Sequence, residues 1–267
     1  MVRVGLVGCG TIGSQLALAL EHTYPHAARI VALHDVRRAH ARALQQRLRA
    51  HPPIVSLPVL IRKSRLVIEA ASVDVAATVL ERALRMRKDV FIMSVGGLLR
   101  HRTWQGRARR AGVHVYLPSG ALAGLDGVKA MAVGRIRRVS LTTRKPPRAL
   151  AGAPYVRRKQ LRLDRLTRAS LIFEGSPRAV VEAFPQNTNV AAALALASGE
   201  SRRARVRVVA DPTLTTNVHE LEVEGDCGRI HCRIESKPSA NPKTSELAVR
   251  SAIATLGRIF DSVSIGT

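Results

Sequence analysis

The stretch VRVGLVGCGTIGSQLALAL, residues 2–20, restricts the fold of this chain more than any other part of it. A short apolar run rich in valine turns through Gly8, Gly10 and Gly13 and continues with Leu and Ala at helical spacing, which reads as strand, tight turn and helix. Each glycine has a mechanical reason in that context. Gly8 permits the turn, Gly10 lets the backbone approach a pyrophosphate, and Gly13 lets the helix pack close to the strand. The helix start adds unpaired N–H groups and the positive end of a dipole, so Gly8, Gly10, Thr11, Ile12 and Gly13 form an expected phosphate cradle. A second apolar run, ARIVALHD, ends at Asp35, roughly 20 residues further on, where a carboxylate can accept from both hydroxyls of an adenosine ribose. That favours NAD, while Arg37 and Arg38 are able to hold a 2′-phosphate, so NAD or NADP is the expected cofactor.

Strands and helices then alternate. Residues 37–50 read as a helix ended by Pro52 and Pro53, SRLVIEAAS as a strand over 64–72, and VDVAATVLERALRMRK as an amphipathic helix. DVFIMSVGGLL reads as a strand over 89–99, followed by a helix near 101–111 and the strand VHVYLPS. Such alternation implies βαβ units around a parallel sheet, with ligands beyond the carboxyl ends of the strands. Glu69 to Ser72, Ser94 to Gly97 and Ser119 to Gly124 are therefore expected to line one crevice, with Ala71 and Ser72 against the cofactor.

The rhythm changes near residue 121. GRIRRVSLTTRKPP, ASLIFEG, RRARVRVVADP, TNVHELEVEG and GRIHCRIESKP alternate as strands and are joined mostly by turns, with helices at SPRAVVEAF and NVAAALALASG. This suits a mainly antiparallel sheet covered on one side by helices. The stretch NPKTSELAVRSAIATLGRI has a Ser/Thr start and apolar residues at helical spacing, as a capped helix does, and it could pack back on the first domain. The expected fold class is α/β: an N-terminal Rossmann-type parallel-sheet domain, 1–120 plus 241–267, and an α+β domain of mainly antiparallel sheet, 121–240, for substrate and dimerisation.

Composition limits the alternatives. No run of 18 apolar residues predicts a membrane span, and the N-terminus enters the first strand directly, so a cytoplasmic protein without a membrane partner is expected. Cys9, Cys227 and Cys232 lack metal or disulfide spacing, and no metal site is expected. The formal net charge of +24 admits a nucleic-acid binder as a remote reading. The arginines are spread through every segment and aromatic residues are only 3%, so stacking platforms are scarce and no specific nucleic-acid partner is expected.

Several further segments together resemble the L-aspartate dehydrogenase family over nearly the whole chain: VGLVGCGTIG, IMSVGGLL, YLPSGALAGLDGVKA, FPQNTNVAAALALA, DPTLTTNVHELEVEG and the NPKTS helix start. The resemblance implies NAD(P)-dependent oxidation of L-aspartate through iminosuccinate to oxaloacetate and ammonia, in a homodimer whose first domain carries the cofactor. It also implies a place in amino-acid metabolism and NAD biosynthesis. Carried over by position, the catalytic histidine falls on His219, and contacts on the nicotinamide side fall on Ala123 and Asn189. The chain departs from the family pattern at Gly96 and Gly97, where Gly then Ala is expected, and at His101 and Trp104, where acidic residues are common.

The chemistry agrees with a histidine. Hydride removal from an amino-acid Cα needs a neutral amine, and imidazole is suited to handle that proton or to activate water against the imine. Of nine histidines only His219 and His231 lie in the second half of the chain, and His219 alone carries the resemblance. From the strand pattern alone, a satisfied structural histidine remains the competing reading of His219. A dicarboxylic amino acid needs cationic and hydroxyl donors, for which Ser119, Thr188, Lys243, Thr244 and Ser245 are candidates, with helix capping as the alternative for Thr244 and Ser245 and a solvated surface position for Lys243. A dihydrodipicolinate-reductase-like oxidoreductase shares the two-domain plan, but its paired-histidine motif is missing here.

Overall fold

In the computed structural model, described residues are 1–101, 103–185, 189–199, 204–237, 239, 245–263 and 265–266. They form two compact units: Met1–Pro118 together with the C-terminal helix from Val249, and Ser119–Ala248.

The first unit holds β1 (Val2–Val7), α1 (Thr11–Thr23), β2 (Ala28–His34), α2 (Arg38–Arg47), α3 (Leu57–Lys63), β3 (Leu66–Glu69), α4 (Val73–Arg85), β4 (Asp89–Ile92), α5 (Trp104–Ala111) and β5 (Val115–Tyr116). Its sheet has the order β2-β1-β3-β4-β5, and every pairing is parallel. The order reverses between β1 and β3, so the crevice at their carboxyl ends is the place such sheets bind ligands. Val4, Leu6, Ile30, Leu33, Ile68 and Phe91 pack with Leu16 and Leu20 of α1, and Ala252 and Leu256 of the C-terminal helix join the same cluster.

One expectation is corrected here. The strand read over 89–99 stops at Ile92, and Val95–Arg100 is a 3-10 turn. There the chain packs so close to α4 that a Cβ on Gly97 would collide with the carbonyl oxygen of Val73 and come within 3.1 Å of the Ala76 Cβ. Glycine at this position permits the close approach. Helix α3, with Pro58 in its first turn, had no periodic signal strong enough to predict it.

The second unit holds α6 (Leu125–Met131), β6 (Ile136–Lys145), α7 (Pro147–Leu150), α8 (Pro154–Arg158), β7 (Ser170–Gly175), α9 (Pro177–Ala183), α10 (Asn189–Ala197), β8 (Arg205–Ala210), β9 (Asn217–Gly225), β10 (Gly228–Ser236) and the start of α11 (Glu246–Phe260). The sheet order is β10-β9-β6-β8-β7. Three pairings are antiparallel and β6–β8 is parallel, because the long connection after β6 returns through α7, α8, β7, α9 and α10. One face packs Val139, Leu141, Leu221, Val223, Val206 and Val208 against Val128, Leu150, Val180, Phe184 and Leu194 of the helices. The other face is polar, with exposed Arg138, Glu222, Arg229 and Arg233 and cross-strand ion pairs such as Arg233–Glu220 at 2.5 Å and Arg207–Glu174 at 3.1 Å. Alternation of apolar and charged residues along each strand produces these two faces.

Candidate active site

The glycine-rich turn does what its spacing requires. Gly8 has φ +90°, and a Cβ there would stand 2.5 Å from the Ala70 carbonyl oxygen and 2.7 Å from the Ala71 nitrogen. Gly13 has no room either, since a Cβ would collide with the Gly8 carbonyl oxygen. Gly10 is the opposite case: nothing lies within 4 Å of where its Cβ would be. It caps the N-terminus of α1, whose first turn carries no acidic side chain, while Thr11 is exposed there and Ile12 partly buried. The open space above Gly10 and the free helix start fit a pyrophosphate without rearrangement.

Asp35 is held at the rim of this turn. Its carboxylate accepts the Cys9 backbone N–H at 2.8 Å and the Arg37 N–H at 2.8 Å, which fixes its orientation and leaves lone pairs for further donors. Arg37 and Arg38 are exposed beside it. Across the switch point, Glu69 is fully buried at the end of β3. It accepts from the Ala71 N–H at 2.8 Å, the Ser94 N–H at 3.0 Å and the Ser94 hydroxyl at 2.9 Å. Burial raises its pKa, opposed by these hydrogen bonds. Glu69 therefore locks the loop bearing Ala71 and Ser72, both exposed, to the loop after β4. Sequence reading placed Glu69 on the crevice and missed this role, although a carboxylate ending a fully apolar strand was the signal.

The second unit contributes side chains instead of backbone. His219 on β9 stands directly opposite Thr143 on β6, with Ile234 of β10 on its other side. The imidazole is 3% exposed, and its Nδ1 lies 3.1 Å from Thr143 Oγ1. Nε2 is left as the nitrogen for other chemistry. Its pKa is lowered to about 3, first by burial and then by the charge of Lys145, so the resting ring is neutral at physiological pH. The strand pattern gives the face a residue occupies but not the desolvation it meets there.

The remaining sequence-derived residues fall as follows. Ala123 is exposed in the loop before α6, Ser119 is partly buried, and Asn189 is the first residue of α10. All three belong to the second unit, together with His219, whereas the glycine turn, Asp35, Ala71 and Ser72 belong to the first. Thr188, Lys243 and Thr244 lie outside the described residues. Ser245, next to them, accepts from the Ala248 N–H at 3.4 Å and caps α11, as the capping alternative anticipated for this helix start. His231 is exposed on the polar sheet face. Among the described residues no group of three His, Cys, Asp or Glu side chains could hold a metal, and no helix is long and apolar enough to cross a membrane.

Comparison with known proteins matches both units. A family model described as aspartate dehydrogenase, C-terminal, covers residues 126–259, and one described as homoserine dehydrogenase, NAD binding domain, covers residues 8–118. The chain is 41% identical to an L-aspartate dehydrogenase of Methanosarcina barkeri over the full length of both. It is 37% identical to that of Bradyrhizobium diazoefficiens, covering all of this chain and 94% of the relative. Among solved structures, the aspartate dehydrogenase of Thermotoga maritima superposes with a TM-score of 0.72 at 23% identity, covering both chains fully. GenD2 of gentamicin A biosynthesis, solved in complex with NAD, shares the fold with a TM-score of 0.52 at 12% identity, over 99% of this chain and 88% of that one.

Proposed function

The chain belongs to the aspartate dehydrogenase family, and from that premise we propose that it oxidises L-aspartate with NAD(P), by way of iminosuccinate, to oxaloacetate and ammonia. The reaction removes a hydride from Cα and a proton from nitrogen, then adds water across the resulting imine to release ammonia. It is reversible, and the same groups serve amination of oxaloacetate. The family match favours this reading over a dihydrodipicolinate-reductase-like activity.

The observation that carries the reading is the pairing of two local designs within one family-matched chain: an open backbone cradle at Gly10 and a buried, neutral imidazole at His219. Gly8, Gly10, Thr11, Ile12 and Gly13 would hold the pyrophosphate, Asp35 the adenosine ribose, and Ala71, Ser72, Ala123 and Asn189 the nicotinamide half. The bound nicotinamide supplies the hydride acceptor. Exposed Arg37 and Arg38 beside Asp35 support use of NADP as well as NAD.

His219 handles the protons. In the resting protein its ring is too weak a base, because burial and the Lys145 charge both oppose protonation. A substrate with two carboxylates brings negative charge into this low-dielectric region and raises the imidazole pKa, so basicity appears only when substrate is present. His219 then takes the proton that leaves the substrate ammonium and later orients the water that attacks the imine carbon. Ser119 is a candidate donor to substrate, together with Thr188, Lys243 and Thr244. The division into a cofactor domain, 1–120 plus 241–267, and a substrate and dimerisation domain, 121–240, belongs to the same reading. So do a homodimer, a cytoplasmic location and a place in amino-acid metabolism and NAD biosynthesis.

Initial rates of NAD and NADP reduction with L-aspartate, set against L-glutamate, L-alanine and L-asparagine, test this directly. Aspartate-dependent reduction yielding equal oxaloacetate and ammonia is the expected result. No reduction with aspartate under either cofactor would remove the proposal.

A further inference from the structure

The sheet order of the first unit decides which half of a dinucleotide lies over which strands. The glycine turn after β1 takes the pyrophosphate, and Asp35 after β2 takes the adenosine ribose on one side of it, so the other half extends over the loops that follow β3 and β4. Beneath those loops lies Glu69, the last residue of β3, with 0% of its surface exposed. Its carboxylate reaches both of them. Oε1 accepts the Ala71 N–H at 2.8 Å and the Ser94 hydroxyl at 2.9 Å, while Oε2 accepts the Ser94 N–H at 3.0 Å. The Ser72 N–H supports the same charge. The Ala70–Ala71 peptide also leans on the glycine turn, since a Cβ on Gly8 would stand 2.5 Å from the Ala70 oxygen. Three loops at the carboxyl end of the sheet are thus joined around one buried anion.

Only a carboxylate has acceptors for all of these donors. In a glutamine of the same shape, whichever way the amide is turned, the NH2 faces a backbone N–H, that of Ala71 or that of Ser94. What the carboxylate leaves outward matters as much. Ala71 and Ser72 are exposed, and the Ser72 hydroxyl, at the N-cap of α4, makes no capping bond to that helix. We propose that Glu69 is the positioning residue for the nicotinamide half of the cofactor: by tying the loops after β3 and β4 together from below, it sets the surface on which that half is laid. This rests on the assignment of Ala71 and Ser72 to the nicotinamide half. Loops held in place before the ligand arrives lose less freedom when it binds. The adenosine half does not depend on Glu69, because Asp35 is oriented separately by the Cys9 and Arg37 N–H groups.

The test uses the full-length protein and two probes, with no amino-acid substrate present. NADH carries both halves of the cofactor and is followed by its nicotinamide fluorescence; ADP carries adenosine and pyrophosphate alone and is followed by calorimetry. Glu69→Gln is expected to raise the NADH Kd about tenfold or more and to leave the ADP Kd within twofold of wild type. Ser94→Ala, which removes the hydroxyl bond and keeps the carboxylate, is expected to raise the NADH Kd about three- to tenfold, with ADP again unchanged. A loss that falls equally on NADH and ADP in Glu69→Gln marks a general loosening of the fold and overturns the proposal, as does an unchanged NADH Kd. Should that variant fail to fold, Ser94→Ala with a wild-type NADH Kd overturns it instead. Wild-type protein that binds NADH no more tightly than ADP removes the nicotinamide-side assignment and the proposal with it. A wild-type preference for NADH that survives in both variants overturns the proposal alone.

Discussion

The crevice of the first sheet and the polar end of the second are built from different materials. At the first, the proposed recognition is by backbone: two glycines that cannot carry a Cβ, a third that leaves open space, and amide groups positioned by Asp35 and Glu69. At the second it is made by side chains buried among apolar neighbours, with His219, Thr143 and Lys145 sharing one face of a sheet. Backbone suits a ligand whose phosphates need many N–H groups and no proton exchange. Side chains in a low-dielectric setting suit a step in which charge and protons move. One region should thus respond to mutation in cofactor affinity and the other in turnover, and the experiments below are arranged to break that separation.

The largest effect is expected at His219. Replacing it with alanine removes the proposed proton acceptor and should lower kcat by about 10²- to 10⁴-fold, equivalent to roughly 3–5 kcal/mol of transition-state stabilisation, with cofactor affinity retained. Steady-state kinetics under saturating aspartate would read it. A kcat within twofold of wild type would take His219 out of the chemistry and dissolve the contrast.

Next in size is the effect of pH on Lys145→Met. The Lys145 pKa is lowered from 10.5 to about 8 by burial, so below pH 8 the ammonium is charged in the folded and unfolded chain alike and its full desolvation cost is present. Between pH 8 and 10.5 the unfolded chain binds more protons, stability rises with pH, and the cost disappears once both states are neutral. The variant should gain up to about 3 kcal/mol at pH 7 and nothing above pH 10.5, as measured by denaturant unfolding. A loss of stability at pH 7 would mean that the lysine is structural, and would sharpen the comparison by moving part of the polar end into the scaffold.

The same contrast explains how much could be read from the amino-acid order. The glycine turn was legible because its spacing reports covalent geometry, and Gly8 at φ +90° is what the spacing implies. The strands of the second sheet were legible from alternation, and their mainly antiparallel pairing followed from the turns between them. The parallel β6–β8 pair was not, since the crossover that makes it contains a strand and helices of its own. After β4 ends at Ile92 the chain turns so that Gly97 meets Val73, a contact about 24 residues distant in sequence and invisible to any local window. His219 was found by likeness to a family, and its burial and neutral state came only with the fold. Lys145 was overlooked because TTRKPP reads as a strand running into a solvated turn. The available signal was its phase: it shares the inward register of Val139, Leu141 and Thr143.

Gly10 offers the most direct test of the central claim, that backbone holds the cofactor in one unit and side chains of the other do the chemistry. Its φ of −74° and ψ of −163° are open to any residue, and nothing lies within 4 Å of its Cβ position, so Gly10→Val should fold with a wild-type Tm. Its side chain would fill the space assigned to the pyrophosphate. Fluorescence titration of NAD(P)H should then show affinity reduced at least about tenfold in Gly10→Val, while His219→Ala binds as wild type does. Unchanged affinity in Gly10→Val, or a comparable loss in His219→Ala, would contradict the account.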